Sequence, residues 1–216
     1  MPRAVSFTLA IGRQLAHPRG LGGWLTGQVM RVANRRPTAL AIDALAVEPG
    51  TRVLDLGCGP GDALGLLARR AGPGVVHGMD HSLAMLAQAS ARNAKGIRDG
   101  VIILTQGSFE ALPYASASFD RVMASNVIYF WREPEVVMRE ILRVLKPGGR
   151  LAVYATDGAD MAHWPIAKKG THILYDRKAL EHMLGASLGG RGVRIDRVAI
   201  GFGIHGLVAT VDRPAR

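Results

Sequence analysis

Residues 53 to 62, Val-Leu-Asp-Leu-Gly-Cys-Gly-Pro-Gly-Asp, are an apolar run with one acid that breaks into glycines at 57, 59 and 61. Further on, Asp80 closes a second apolar run. The glycines remove the β-carbons that would hold a ligand away from a tight strand-to-helix turn. An acid ending the neighbouring strand can accept hydrogen bonds from both hydroxyls of a ribose. The spacing Gly57-x-Gly59-x-Gly61 differs from the G-x-G-x-x-G of dinucleotide sites, and Asp62 stands where their third glycine would be, where a carboxylate repels a pyrophosphate. A phosphate-cradling G-x-x-x-x-G-K-[ST] loop is absent from the sequence. The residues therefore predict a ribose-containing ligand without phosphate, carrying an amine or a positive centre that suits Asp55 and Asp62.

Such a site needs parallel strands, and the chain alternates strand and helix. Arg52 to Leu56 reads as strand one, Asp62 to Ala71 as a helix, Val75 to Asp80 as strand two, and Ser82 to Ala94 as a helix with Ser82 as N-cap. Val101 to Thr105 reads as strand three and Arg121 to Ala124 as strand four. In Glu135 to Leu145 the apolar residues recur at helical spacing, with Arg143 and Lys146 at the end where cations suit the helix dipole. Pro147-Gly148-Gly149 stops that helix, Leu151 to Tyr154 follows as strand five, and Val193 to Ile200 and Ile204 to Val211 read as a closing pair of β segments. Right-handed crossovers place the carboxyl ends of the parallel strands on one edge, so the loops after Leu56, Asp80, Gln106 and Ala124 should meet where the strand order reverses, between strands one and four.

Four motifs stand in a familiar order: Val53 to Gly61; Val76-His77-Gly78-Met79-Asp80 followed by Met85-Leu86; Ser108-Phe109-Glu110-Ala111-Leu112-Pro113 with Ser118-Phe119-Asp120; and Leu145-Lys146-Pro147-Gly148-Gly149-Arg150. Over roughly residues 45 to 157 the chain resembles the class I S-adenosylmethionine-dependent methyltransferases, in particular the small-molecule branch that includes the ubiquinone and menaquinone biosynthesis enzymes. The resemblance implies an α/β, doubly wound, seven-stranded mostly parallel sheet, a Rossmann-like methyltransferase fold, with an antiparallel C-terminal hairpin. It implies S-adenosyl-L-methionine as cofactor, with Asp55 and the backbone of Gly57, Cys58 and Gly59 at its methionine end, Asp80 on the ribose, and Met79 and His81 beside the adenine. Ser108 stands where the family usually has an Asp that accepts from the adenine amino group. A neutral hydrogen bond is worth about 1 kcal/mol against about 1.5 to 3 for one to a charged group, so weaker adenine recognition is expected, with Phe109 packing against the ring. Asn126, in the loop after strand four, completes the cofactor-binding set.

Acceptor residues are expected on the same edge: Ser125, Asn126, Tyr129, Phe130 and Trp131 after strand four, and Asp157, His163, Trp164, His172 and Tyr175 after strand five. Methyl transfer from a sulfonium is an in-line displacement with a neutral leaving group, so alignment supplies much of the acceleration. A base is needed only when the acceptor must lose a proton. His163 and His172 are the candidate bases for a phenol or an acidic carbon, and Tyr129 or Tyr154 can orient an amine. Asp120 reads equally as a loop-orienting residue and as a ligand contact. Cys58, between two glycines, reads as a small residue that fits the turn rather than as a nucleophile.

A chain of 216 residues, 48% hydrophobic and 20% charged, is long enough for one sizeable core. One cysteine excludes an internal disulfide, no uninterrupted apolar stretch is long enough to span a membrane, and neither a cleavable signal pattern nor a metal site is expected, so the expected compartment is the cytoplasm. The net charge of +10 comes from 22 arginines against 5 lysines, and the first 42 residues hold no acid. Such a basic segment suits a membrane surface, an anionic substrate or nucleic acid. We divide the chain into an N-terminal helical cap, 1-45, over the acceptor site and a cofactor-binding domain, 46-216. The expected activity is methyl transfer to a small-molecule acceptor, amphiphilic and anionic ones included, with peripheral membrane contact and a homo-oligomer left open. Two alternatives remain. A nucleic-acid methyltransferase fits the charge but lacks the N-P-P-Y or D-P-P-Y sequence after strand four, and a non-catalytic cofactor-binding protein would fit the departure at Ser108.

Overall fold

The computed structural model describes residues 34–161, 173–186, 192–201 and 203–215. Most of the expected cap, together with His163, Trp164 and His172, lies outside these residues. The described part of the cap is a helix, α1, over residues 34–45, whose Ala41, Ile42 and Leu45 are buried.

Seven strands form one sheet: β1 (Val53–Leu56), β2 (Val76–Asp80), β3 (Ile102–Gln106), β4 (Phe119–Ser125), β5 (Leu145–Thr156), β6 (Val193–Gly201) and β7 (Ile204–Asp212). Their order is β3-β2-β1-β4-β5-β7-β6. β1 pairs in parallel with both β2 and β4, so the order reverses between β1 and β4 as expected. β7 runs antiparallel to both β5 and β6.

Alternation along the strands divides the core between the two faces of the sheet. Leu54, Leu56, Val122, Ala124, Val153 and Leu207 face α5 (Pro134–Val144) and α7 (Arg177–Ala186). Val53, Val76, Met123, Ala152 and Val208 face α1, α2 (Leu64–Ala71) and α3 (Leu83–Arg92). Asp55 shares the second face with Val53, because side chains two apart on a strand point the same way.

Three elements differ from the sequence expectation. The helix expected from Ser82 to Ala94 is two, α3 and the short α4 (Ala94–Arg98). Asn93, between them, turns its side-chain amide onto the carbonyls of Gly61 and Ala89, both at 3.0 Å. Strand five begins at Leu145 rather than Leu151, since Leu145 pairs with Phe119 and Gly148 N donates to Arg213 O at 3.0 Å. After β5 come α6 (Gly158–Met161) and later α7, which the apolar spacing of a loop-like stretch did not reveal. Ser82 does cap α3, accepting from Met85 N at 3.4 Å.

Candidate functional site

The glycine turn leaves β1 directly above the switch point. Gly57 N and Cys58 N both donate to Met79 O, at 2.8 and 2.9 Å, which fastens the turn to the end of β2. All three glycines have positive φ, +74° at Gly57, +52° at Gly59 and +77° at Gly61, a region that disfavours side chains. Their surroundings differ. A β-carbon at Gly57 would lie 2.4 Å from Val127 Cγ2, and one at Gly61 2.8 Å from Ala89 Cβ, whereas one at Gly59 would meet nothing within 4 Å. Of the three, Gly59 alone faces open space. Gly57 and Gly61 also answer to packing, since a β-carbon at either would strike a neighbouring side chain, while the open space lies beside Gly59.

Asp80 closes this loop from below. Its Oδ2 accepts from Gly59 N and its Oδ1 from Ser82 N, each at 2.9 Å. A carboxylate has about four lone-pair sites, so two remain for ribose hydroxyls. Asp55 stands on the adjacent strand at 3% exposure, and its carboxyl has no hydrogen bond among the described residues. Burial first, and the Asp80 charge second, push the Asp55 carboxyl up to about 7. A cation brought beside these two acids offsets both effects, so the site suits a positively charged ligand. Cys58 is buried, and burial followed by the charges of Asp55 and Asp80 raises its thiol far above its ordinary value. The thiol stays protonated and is no nucleophile.

Asp62 does not join this pair. Its carboxylate meets Arg92 Nη1 at 2.8 Å on the outer face of α3, while the same nitrogen donates to Pro60 O at 2.7 Å. That correction follows from the turn itself: the chain enters α2 with residue 62 pointing away from the cleft.

Beyond β2 and β3, His81 lies with its ring centroid 6.4 Å from Phe109, and Gln106 Nε2 donates to His81 O at 3.1 Å. Phe109 is buried and its Cζ lies 3.5 Å from the β-carbon position of Gly57. Ser108 donates its hydroxyl to Glu110 Oε2, so a carboxylate lies beside the neutral residue at 108. The rest of that motif serves the scaffold. Leu112 N donates to Glu140 Oε2 at 2.8 Å, and Arg143 spans the carbonyls of Leu112 and Tyr114. Asp120 lies at the opposite end of the sheet, where it accepts from Arg52 N and from Lys146 Nζ at 2.8 Å, so it joins strands and is not a ligand contact.

After β4 the chain turns sharply at Asn126, whose φ of +55° is unusual for any residue but glycine and is best tolerated by Asn and Asp. Asn126 Nδ2 donates to Asn34 Oδ1 on α1 at 3.2 Å, and Asn126 Oδ1 accepts from Tyr129 Oη at 3.3 Å. Tyr129 Oη accepts in turn from Thr156 N at 2.6 Å. Helix α1, the loop after β4 and the end of β5 are thus joined through Asn126 and Tyr129. Burial raises the phenols of Tyr129 and Tyr154, the latter to about 12, so both remain neutral, Tyr129 as a hydrogen-bonding group and Tyr154 as a buried core residue.

Sequence reasoning named Asp157 as an acceptor-side residue but not the cluster to which it belongs. At the top of β5, β6 and β7, Arg197 Nε donates to Asp157 Oδ2 at 2.6 Å and Arg197 Nη2 reaches Asp160 Oδ1 at 3.3 Å, while His205 Nδ1 lies 2.8 Å from Asp160 Oδ2. No sequence motif links residues 157, 160, 197 and 205, since antiparallel pairing alone brings them together.

Among the described residues, no helix is long and apolar enough to cross a membrane. The sequence model of the family described as "Methyltransferase domain" matches residues 54–153. The chain is 32% identical over 130 residues to the uncharacterized methyltransferase YdaC of Bacillus subtilis, covering 60% of this chain and 69% of that protein. It is 40% identical over 119 residues to the demethylmenaquinone methyltransferase of Renibacterium salmoninarum, covering 55% of this chain and 47% of that enzyme, so it spans less than half of the latter's length. In fold it matches a crystal structure of a SAM-dependent methyltransferase from Aquifex aeolicus, with a TM-score of 0.64 and 21% identity over 82% of this chain and 93% of that one.

Proposed function

The chain belongs to the class I S-adenosylmethionine-dependent methyltransferases, and we propose that it methylates a small, partly apolar acceptor that enters over the ends of β4 and β5. The cofactor is S-adenosylmethionine. One observation carries its placement in this chain: Asp55, buried and without a hydrogen-bond partner among the described residues, stands next to Asp80 below the open face of Gly59. These residues fit a ligand with a cationic centre at one end and a ribose in the middle. Asp55 and the Gly57–Gly59 backbone would hold the methionine end, Asp80 the ribose, and His81, Phe109 and Ser108 the adenine. When bound, the cofactor supplies an activated methyl group on a sulfonium.

The chain's own residues then have to orient the acceptor and keep water away. Asn126 and Tyr129 lie at the β4 end with their hydrogen bonds directed between α1 and β5. Phe130 and Ile173, 52% and 43% exposed, give this rim an apolar character. A partly apolar acceptor also accords with the quinone named for the Renibacterium relative. Alignment of the acceptor with the methyl carbon is the main source of rate in an in-line displacement. We assign residues 1-45 as the cap over this acceptor site and the remainder as the catalytic domain, because Asn34 of α1 bonds directly to Asn126.

Two measurements test this reading. Calorimetry should detect S-adenosylhomocysteine binding that is lost in Asp80→Ala. Incubation of a metabolite extract with methyl-labelled cofactor should label a small molecule. Labelling confined to RNA or DNA, or no binding of either form of the cofactor, would refute it.

A further inference from the structure

An imidazole already held by a carboxylate stands on the same edge of the sheet as the cofactor site. β7 starts at that edge and runs down beside β5, with Gly206 opposite Thr156 and His205 one residue higher. His205 O accepts from Asp157 N at 2.9 Å, which ties the residue after β5 to the start of β7. Asp160, on α6, takes both the His205 backbone N–H at 2.7 Å and Nδ1 at 2.8 Å on the same oxygen, Oδ2. Arg197, on β6, lies against the carboxylates of Asp157 and Asp160. Asp160 is held below its ordinary carboxylate value, first by its bonds to His205 and then by the Arg197 charge, so it stays ionised. An ionised acceptor at Nδ1 assigns the imidazole hydrogen to Nδ1 and leaves the lone pair on Nε2. The His205 side chain is 29% exposed and Nε2 has no partner among the described residues.

The other proton acceptors described at this end of β5 are committed. Asp157 is 4% exposed and bound by Arg197 and Ala159 N. The phenols of Tyr129 and Tyr154 are neutral and buried. A nucleophile, a base within reach and a third group that orients the base form the usual pattern for proton transfer in an active site.

We infer that His205 is the general base of the methyl transfer, with Asp160 its positioning residue, and that the acceptor is therefore a nucleophile that carries a proton, an O–H, an N–H or an acidic C–H. This inference rests on the methyltransferase reading above. In the step it serves, a pair of electrons on the acceptor forms the bond to the methyl carbon. The carbon–sulfur bond breaks with its pair returning to sulfur as a neutral thioether. The acceptor's proton passes to Nε2 of His205 and from there to solvent.

The test uses the full chain, a metabolite extract and methyl-labelled S-adenosylmethionine, with S-adenosylhomocysteine affinity measured alongside. His205→Gln should lower labelling about 100-fold or more, the usual scale of a general base, and flatten its rise with pH, while the affinity changes less than about threefold. Asp160→Asn should lower labelling and move the pH midpoint, and added imidazole should restore part of the rate to His205→Ala, which a purely structural role would not allow. Independently of turnover, diethyl pyrocarbonate should carbethoxylate His205 in the wild-type chain, as it should the 74% exposed His81. Labelling by His205→Gln within threefold of wild type with an unchanged pH profile overturns the proposal alone. Failure of imidazole to restore His205→Ala, or His205 left unmodified while His81 reacts, also overturns it. No labelled product from the wild type, with S-adenosylhomocysteine still bound, overturns it together with the acceptor reading.

Discussion

Asp55→Asn should stabilise the fold at neutral pH while weakening the cofactor site, and the size of the effect can be worked from burial. The carboxyl is raised from 3.8 to about 7, chiefly by desolvation. At about 1.4 kcal/mol per pH unit, this places a ceiling of about 4 kcal/mol on the cost of ionising it in the folded chain. The sign follows from proton counts. Between about pH 4 and 7 the folded chain holds a proton on Asp55 that the unfolded chain has released, so stability falls as pH rises through that window. The cost is complete above about 7 and absent below about 4. An amide carries no such cost. Urea unfolding of wild type and Asp55→Asn should therefore give similar stabilities near pH 4 and diverge to as much as about 4 kcal/mol near pH 8, with the variant the more stable. Saturating S-adenosylmethionine should narrow the gap, because a cation beside Asp55 favours its charged form, and the variant should bind that cofactor at least tenfold more weakly. A difference that does not change with pH, or unaltered cofactor affinity, would refute the assignment of Asp55 to the cationic end of the ligand.

Three further outcomes follow from the geometry. Gly57→Ala and Gly59→Ala share a positive φ that costs about 1 to 2 kcal/mol, but the first also places a β-carbon 2.4 Å from Val127 Cγ2. Thermal unfolding should show Gly57→Ala the more damaged, whereas Gly59→Ala should remain folded and lose about tenfold or more in S-adenosylhomocysteine affinity. Removal of residues 1 to 36, which takes Asn34 from its bond with Asn126, should abolish methyl transfer in the labelled-extract assay yet keep calorimetric cofactor affinity within a few fold. His77 is buried against Tyr114 and Phe119 with both ring nitrogens unpartnered, and burial followed by the Arg52 charge lowers its pKa. A lowered histidine value means that stability is lost as pH falls through 6.5 and below, so His77→Leu should stabilise by about 1 kcal/mol or more near pH 5 and by less at pH 8, by urea titration.

How far the cofactor site can be read in one dimension depends on which interactions are local. Asp55, the glycines and Asp80 fall within 26 residues and each is tied to a strand end or a turn, so their alignment follows from strand periodicity and turn chemistry. Cys58 is legible for the same reason, as a small residue in a tight turn. Asp62 misleads because its direction depends on how the chain enters α2, and Arg92, its partner, comes from α3. The sequence does not show that the glycines at 57 and 61 also answer to packing, because Val127 and Ala89 fill the space beside them.

The amino-acid order by itself determined the alternation of strands and helices, the closing hairpin, the acid that ends β2 and the absence of a phosphate cradle. All of these are encoded by neighbours a few residues apart, where backbone sterics and side-chain periodicity act directly. Tertiary structure alone decided which glycine is open, that Asp55 is desolvated beside a second acid, and that Asn126 ties Asn34 to the end of β5. It also decided that His205 meets an aspartate 45 residues earlier in the chain. Those properties depend on burial and on pairings between distant strands, and dielectric surroundings and long-range contacts leave no periodic trace in the sequence that produces them.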